Sequence, residues 1–166
     1  MTNYIVHKKF LEKNFFKKIQ NLIINIDDFP TIENDFSWFY RDKTEINKGY
    51  FTHAFFNKNK VSSPYFWEYI EPILTQLKAI AVVQIRANML IFKNKKSKWH
   101  TDYLFKCKTG ILYLNNSDGG TELKINNKKI FIKSEANKML IFDSKIKHRA
   151  ISGKNFRYIL NFNYFN

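Results

Sequence analysis

His100 and Asp102 stand two positions apart in the segment KWHTDYLF (98–105), and His148 follows forty-six positions later in DSKIKHRAIS. A strand projects residues i and i+2 from the same face. Read as a strand, 98–105 therefore points an imidazole nitrogen and a carboxylate oxygen into one space. Two histidines and one carboxylate are the donor set that grips one face of a non-haem iron and leaves the opposite face open. Arg157 lies nine positions beyond His148, and an arginine turned into the interior of a small barrel requires an anion there. A lone His-x-Asp is a weak sign in a chain with four His and seven Asp. The set gains weight from the elements that must carry it.

Those elements read as strands. From residue 81 onward, apolar segments of five to eight residues follow one another between Asn, Asp, Gly and Lys clusters: VVQIRANMLIF, KWHTDYLF, TGILYLN, GTELKI, KKIFIKS, KMLIFDS, KHRAIS and FRYILNFNYF. Short strands at such even spacing predict a sandwich or barrel. The Asn-rich turn ending in Gly119-Gly120 predicts a hairpin over 109–125. The last strand alternates, with Arg157, Ile159, Asn161 and Asn163 on one face and Tyr158, Leu160, Phe162 and Tyr164 on the other.

The first eighty residues read differently. Leu11, Phe15, Ile19, Leu22 and Ile26 recur at helical spacing and predict a helix ending before Pro30. Its lysines lie on the other sides, and the dense apolar face favours packing on a core over binding a membrane. Ser63 followed by Pro64 reads as an N-cap and first helical position, opening a helix to about residue 80 that Pro72 kinks or divides. Between the helices, 35–65 is aromatic and polar by turns, a loop with short strands that include YFTHAFF. Loops beside a site often carry specificity. Trp38, Phe39, Tyr40, Arg41 and His53 are therefore candidates for substrate contact, against the plainer alternative that these rings cap the core. The expected organisation is a single domain over 1–166, with helical support in 1–80 and a β core in 81–166.

Composition bounds the partners. The chain has 166 residues, 45% of them hydrophobic and 17% aromatic, enough for a sizeable core. A formal charge of +14 invites a nucleic-acid partner. However, twenty-four Lys against four Arg, spread along the chain beside nineteen Asn, describe a solvated surface better than the arginine forks that read phosphates and bases. Nucleic acid is thus a possible partner and not the favoured one. Cys107 is the single cysteine; it forbids an internal disulfide, reads as an ordinary reduced thiol and suits a reducing compartment. No apolar run approaches a membrane span, and the N-terminus lacks the apolar run of a signal peptide, so the expected location is the cytoplasm and the expected partners exclude a membrane. Oligomeric state leaves no trace in the sequence.

Taken in order, WHTD, ILYLN, GGTEL, MLIFDS, KHRA and RYILNFNYF resemble the Fe(II)/2-oxoglutarate-dependent oxygenases, specifically the prolyl-4-hydroxylase-like branch and its bacteriophage relatives, over about 83–165. The resemblance implies a mainly β fold with N-terminal helices, a double-stranded β-helix (jelly roll, cupin-like) buttressed by helices. It implies Fe(II), 2-oxoglutarate and O2 as cofactor and cosubstrates, in host cytoplasm if the gene is phage-borne. It assigns His100, Asp102 and His148 to the metal, and Arg157 and Tyr113 to the distal carboxylate of 2-oxoglutarate, with Asn161 a weaker candidate in the same pocket. Where prolyl hydroxylases commonly carry a further tyrosine, in the strand before His-x-Asp, this chain has Leu90, with Asn88 the nearest polar substitute. The implied reaction is hydroxylation of a C–H bond, a prolyl residue in a protein or peptide being the first expectation. Oxidation of a nucleobase, a nucleotide or another small metabolite is the alternative within the class. A cupin-like binding protein without turnover is the alternative outside it.

Overall fold

The structure, a computed structural model, describes residues 4–24, 36–42, 49–91 and 93–166. Eleven strands and a short helical layer make up these residues. They are β1 (Tyr4–His7), α1 (Lys13–Ile24), β2 (Phe39–Arg41), β3 (Tyr50–Asn57), β4 (Lys60–Val61), a π-helical turn (Phe66–Ile70) leading into α2 (Glu71–Gln76), β5 (Ala81–Leu90), β6 (Lys108–Tyr113), β7 (Gly120–Ile125), β8 (Lys128–Lys133), β9 (Lys138–Asp143), β10 (His148–Ile151) and β11 (Arg157–Phe165).

Two antiparallel sheets form a jelly roll. The major sheet runs β1-β9-β6-β11-β5-β3-β2, with β4 paired to β3, and the minor sheet runs β10-β7-β8. Isolated bridges Lys96↔Ile151 and His100↔His148 lay the 96–100 segment along the free edge of β10. The strands alternate as their sequences require. On β6 and β11, Leu112, Leu160, Phe162 and Tyr164 face the helices and share one core with Ile19 and Leu22 of α1 and with Ile70 and Ile73. Ile111, Tyr113 and Ile159 face the minor sheet and join Leu123, Ile132, Leu140 and Phe142 in a second core.

Several sequence expectations change here. The hairpin expected over 109–125 does not form. β6 pairs with β11 and β9, whereas β7 pairs with β8 and β10, because the chain crosses from the major to the minor sheet between β6 and β7. Gly119 permits that crossing, since a Cβ there would meet the Ile151 carbonyl oxygen. The true hairpin is β7–β8, turned by Asn126 and Asn127 at φ 49 and 61°, the left-handed pair that a two-residue turn demands. The segment 98–105 is not a strand beyond its bridge at His100. The division at residue 80 also fails, since β1 pairs with β9 and β3 with β5, so the first half of the chain builds part of the major sheet.

The second helix is shorter than expected. Ile26 and Pro30 lie outside the described residues. Pro72 divides the second helix as its missing N–H requires: the turn before it is π-helical, and α2 ends at Gln76, not near 80. Among the described residues no helix is long and apolar enough to cross a membrane.

Candidate metal centre

His100 and His148 are brought together by the backbone. Each amide donates to the other's carbonyl, at 3.0 and 2.8 Å, so the two residues face each other across an antiparallel bridge and project to the same side. Their ring centroids are 4.4 Å apart. Asp102 reaches the same space through an irregular turn. Its amide donates to Ser144 O at 3.2 Å. Ser144 Oγ then accepts from the Cys107 amide at 3.2 Å and donates to Phe105 O at 2.9 Å. Ser144 therefore does what a strand was expected to do.

The resulting donor set is compact. Asp102 Oδ1 lies 3.4 Å from His148 Nε2 and 3.9 Å from His100 Nε2, and one ligand atom from each residue falls within 4.8 Å of the others. The neighbours of these groups orient them. His100 Nδ1 is 3.1 Å from Lys98 O and His148 Nδ1 is 3.0 Å from Ile146 O. A carbonyl only accepts, so both Nδ1 atoms carry a proton, which makes Nε2 the nitrogen each ring would offer to a metal. Thr109 Oγ1 and Asn163 Nδ2 donate to Asp102 Oδ2, each at 2.8 Å, which turns Oδ1 toward the histidines. Burial opposes ionisation of Asp102, but the His148 ring, Asn163 and Thr109 outweigh it and hold the carboxyl well below the usual carboxylate range.

A cavity of about 400 Å³ opens from this cluster. Tyr50, Arg86, Asn88, Leu90, Ile111, Thr121, Arg157, Ile159 and Asn161 line it alongside the three donors. Arg157, only 1% exposed, donates from Nη2 to Thr121 Oγ1 at 2.9 Å; its Nε and Nη1 have no partner. The Tyr113 hydroxyl donates to the same Thr121 oxygen at 2.9 Å, and the guanidinium carbon sits 5.4 Å from the Tyr113 ring centre. Burial lowers the pKa of Arg157 and raises that of Tyr113. The pair is thus a cation beside a neutral phenol, with two unpartnered guanidinium nitrogens at the cavity.

The expected residues divide cleanly. His100, Asp102, His148, Arg157, Asn161 and Asn88 all reach the cavity, and Tyr113 stands behind Arg157. Asn88 is partly committed, since its Oδ1 accepts from Thr52 Oγ1 at 2.9 Å. Asn161 keeps a buried, unpartnered Oδ1, while the carboxylate contact falls to Asn163, two residues on along the same face. Trp38, Phe39, Tyr40, Arg41 and His53 do not line the cavity. Trp38 packs on Tyr158 and Phe36 on the helical side. Tyr40 pairs with Phe51 on that same side, and His53 is held there by Ser37 O and Ser63 Oγ, each at 2.8 Å. Phe39 and Arg41, which pair with Thr52 and Tyr50, keep to the cavity's side of the sheet but on its exposed edge strand.

Sequence reasoning passed over Thr109, Asn163, Thr121 and Ser144. Alternation would have found the first two: Thr109, Ile111 and Tyr113 share a face of β6, as Asn163 shares one with Arg157.

The fold is the double-stranded β-helix of the 2-oxoglutarate/Fe(II) oxygenases. The chain is similar to a Pseudomonas putida prolyl-4-hydroxylase, with 12% identity and a TM-score of 0.69 over 99% of this chain and 93% of that one. It is also similar to an oxidoreductase of the 2OG-Fe(II) oxygenase family from Burkholderia pseudomallei, with 9% identity and a TM-score of 0.74 over 98% and 85%. The non-heme alpha-ketoglutarate-dependent epimerase SnoN of nogalamycin biosynthesis aligns at 8% identity and a TM-score of 0.71 over 99% and 78%. No protein-family model and no curated protein matches the sequence.

Proposed function

We propose that this protein is an Fe(II)- and 2-oxoglutarate-dependent dioxygenase, one catalytic domain that hydroxylates a C–H bond. One observation carries the reading: a 2-His-1-carboxylate cluster and an unpartnered buried guanidinium share one cavity.

The residues fit both groups. His100, Asp102 and His148 would hold the iron from one side, their protons and second oxygen already committed elsewhere. Arg157 would take the distal carboxylate of 2-oxoglutarate with Nε and Nη1, supported by Thr121 and Tyr113; a bidentate fork suits a carboxylate as no lysine does. When bound, the iron and the 2-oxo acid supply the oxidising chemistry, in which O2 is consumed, the oxo acid leaves as succinate and CO2, and a substrate C–H becomes C–OH. The chain's own part is positional. Thr109 and Asn163 hold Asp102, Lys98 O and Ile146 O fix the imidazole tautomers, and Leu90, Ile111 and Ile159 line the interior with apolar surface that excludes water.

The first substrate to test is a prolyl residue in a peptide, by likeness to the Pseudomonas putida enzyme. The epimerase neighbour makes plain that one fold serves other substrates and outcomes. The buried thiol of Cys107, its pKa pushed up by burial, suits a reducing cytoplasm.

Anaerobic titration with Fe(II) and 2-oxoglutarate tests the proposal. A weak visible charge-transfer band is expected in the wild type and not in His148→Ala. Succinate release with prolyl peptides then tests the substrate. A folded wild type without a band would overturn the class itself.

A further inference from the structure

The cavity holds a second guanidinium that these roles leave unused. Arg86 is on β5, on the face turned toward the minor sheet, opposite Asn161 of β11 and Ala54 of β3. With Asn88 and Asn161 it lines the cavity. Ala54 offers only a methyl group on its flank. Among the described residues no carboxylate lies within 4.0 Å of it, and it makes no hydrogen bond.

Register places Arg86 at the metal end. Its partner Asn161 is two residues from Asn163, which holds Asp102, and four residues from Arg157. At about 3.4 Å per residue these are offsets of roughly 7 and 14 Å along β11. A carboxylate seated on Arg157 is therefore out of reach of Arg86.

Charge asks for a further anion. With two neutral histidines, a divalent metal and Asp102 leave one positive charge. Arg157 adds a second, and a 2-oxo diacid cancels both. Among the described residues Asp102 is the only acidic one in the cavity lining, and they leave the charge of Arg86 unbalanced in a partly desolvated space.

The geometry points to Arg86 as the recognition group for an anion carried by the primary substrate, a carboxylate or phosphate close to the oxidised C–H bond, with Asn88 and Asn161 as its polar neighbours. The inference rests on the oxygenase reading for the position of that C–H bond. It restricts the prolyl expectation to a proline beside an acidic group, or free as the amino acid.

Nuclear magnetic resonance of arginine Nε–H groups tests it, since the chain has only four arginines, with Arg86→Gln and Arg157→Gln identifying two of them. Zn(II)-loaded protein is titrated first with 2-oxoglutarate, then with acetate or inorganic phosphate. The expected result is that 2-oxoglutarate moves the Arg157 signal and either small anion then moves Arg86 saturably. In Arg86→Gln the Asn88 amide should report anion binding weakened by about tenfold or more, the loss of one charge-assisted contact, with 2-oxoglutarate affinity retained. Which anion saturates at lower concentration separates carboxylate from phosphate. The inference is overturned if neither anion moves Arg86. It is equally overturned if 2-oxoglutarate alone saturates Arg86 and Arg86→Gln loses affinity for it, for the cosubstrate would then be its ligand. If 2-oxoglutarate does not move Arg157, the oxygenase reading fails, and the acetate and phosphate titrations still decide Arg86.

Discussion

The two faces of β11 differ in what they tolerate. Toward the helices it presents Leu160, Phe162 and Tyr164, all buried in a continuous apolar core. Toward the minor sheet the same strand presents Arg157 and Asn163, just as deep but polar, and the half-buried Asn161, with Arg157 and Asn161 holding unpartnered atoms. Nine consecutive residues thus serve two purposes by alternation alone. The outer face stabilises by burial and asks for nothing else. The inner face costs stability until something binds, because buried polar groups without partners are penalised. A strand needed only for folding would have been apolar on both sides.

Breaking the two faces in turn separates these purposes. The largest effect is expected from Asp102→Ala: the charge-transfer band and turnover disappear, a loss of more than about 4 kcal/mol in transition-state terms, while thermal unfolding shows the fold intact. Phe162→Ala on the outer face should do the reverse, costing about 3–5 kcal/mol of stability and leaving the 2-oxoglutarate requirement of the remaining folded protein unchanged. A shifted requirement there would mean that the faces are not independent.

Arg157→Met comes next. The 2-oxoglutarate concentration for half-maximal turnover should rise by roughly 100-fold, about 2.7 kcal/mol, and the ligand-free protein should melt no lower, since an unpaired buried charge has been removed. Asn163→Ala leaves all three donors in place but frees Asp102, so iron affinity should weaken by about 10–100-fold, read by competition with a chelator. Unchanged affinity would show that Thr109 alone holds the carboxylate.

The smallest effect is on the outer side, at His53. Burial holds its pKa below the ordinary value of 6.5, so the unfolded chain binds the proton first. The stability it contributes is complete above about pH 6.5 and is lost as pH falls toward the folded-state pKa, by the linkage of proton binding to folding. Melting between pH 7.5 and 5.5 should show this loss in the wild type and less of it in His53→Phe, which keeps a ring against Phe36.

Much of the site was legible in the sequence because its signals are local. The alternation of 157–164 is a property of consecutive residues, and so is the face shared by Thr109 and Tyr113. The residue types were equally readable: two histidines, one aspartate and one interior arginine name a chemistry before any fold is known. The resemblance supplied their order along the chain.

What the sequence by itself determined was this inventory, with the apolar faces of the helices and the division of each strand into two sides. Tertiary structure decided which strands meet. The 109–125 segment has the composition of a hairpin, yet its halves join different sheets, since pairing depends on edges offered by β9, β10 and β11 far along the chain. His100 and Asp102 need no strand, since a bridge to His148 and the backbone carbonyl of Ser144 position them. The choice of Asn163 over Asn161 as the contact of Asp102, and of Thr121 as the common acceptor for Arg157 and Tyr113, likewise follows from register across β6 and β11 and from the packing of one sheet on the other. These are relations between residues distant in sequence, and local periodicity carries no information about them.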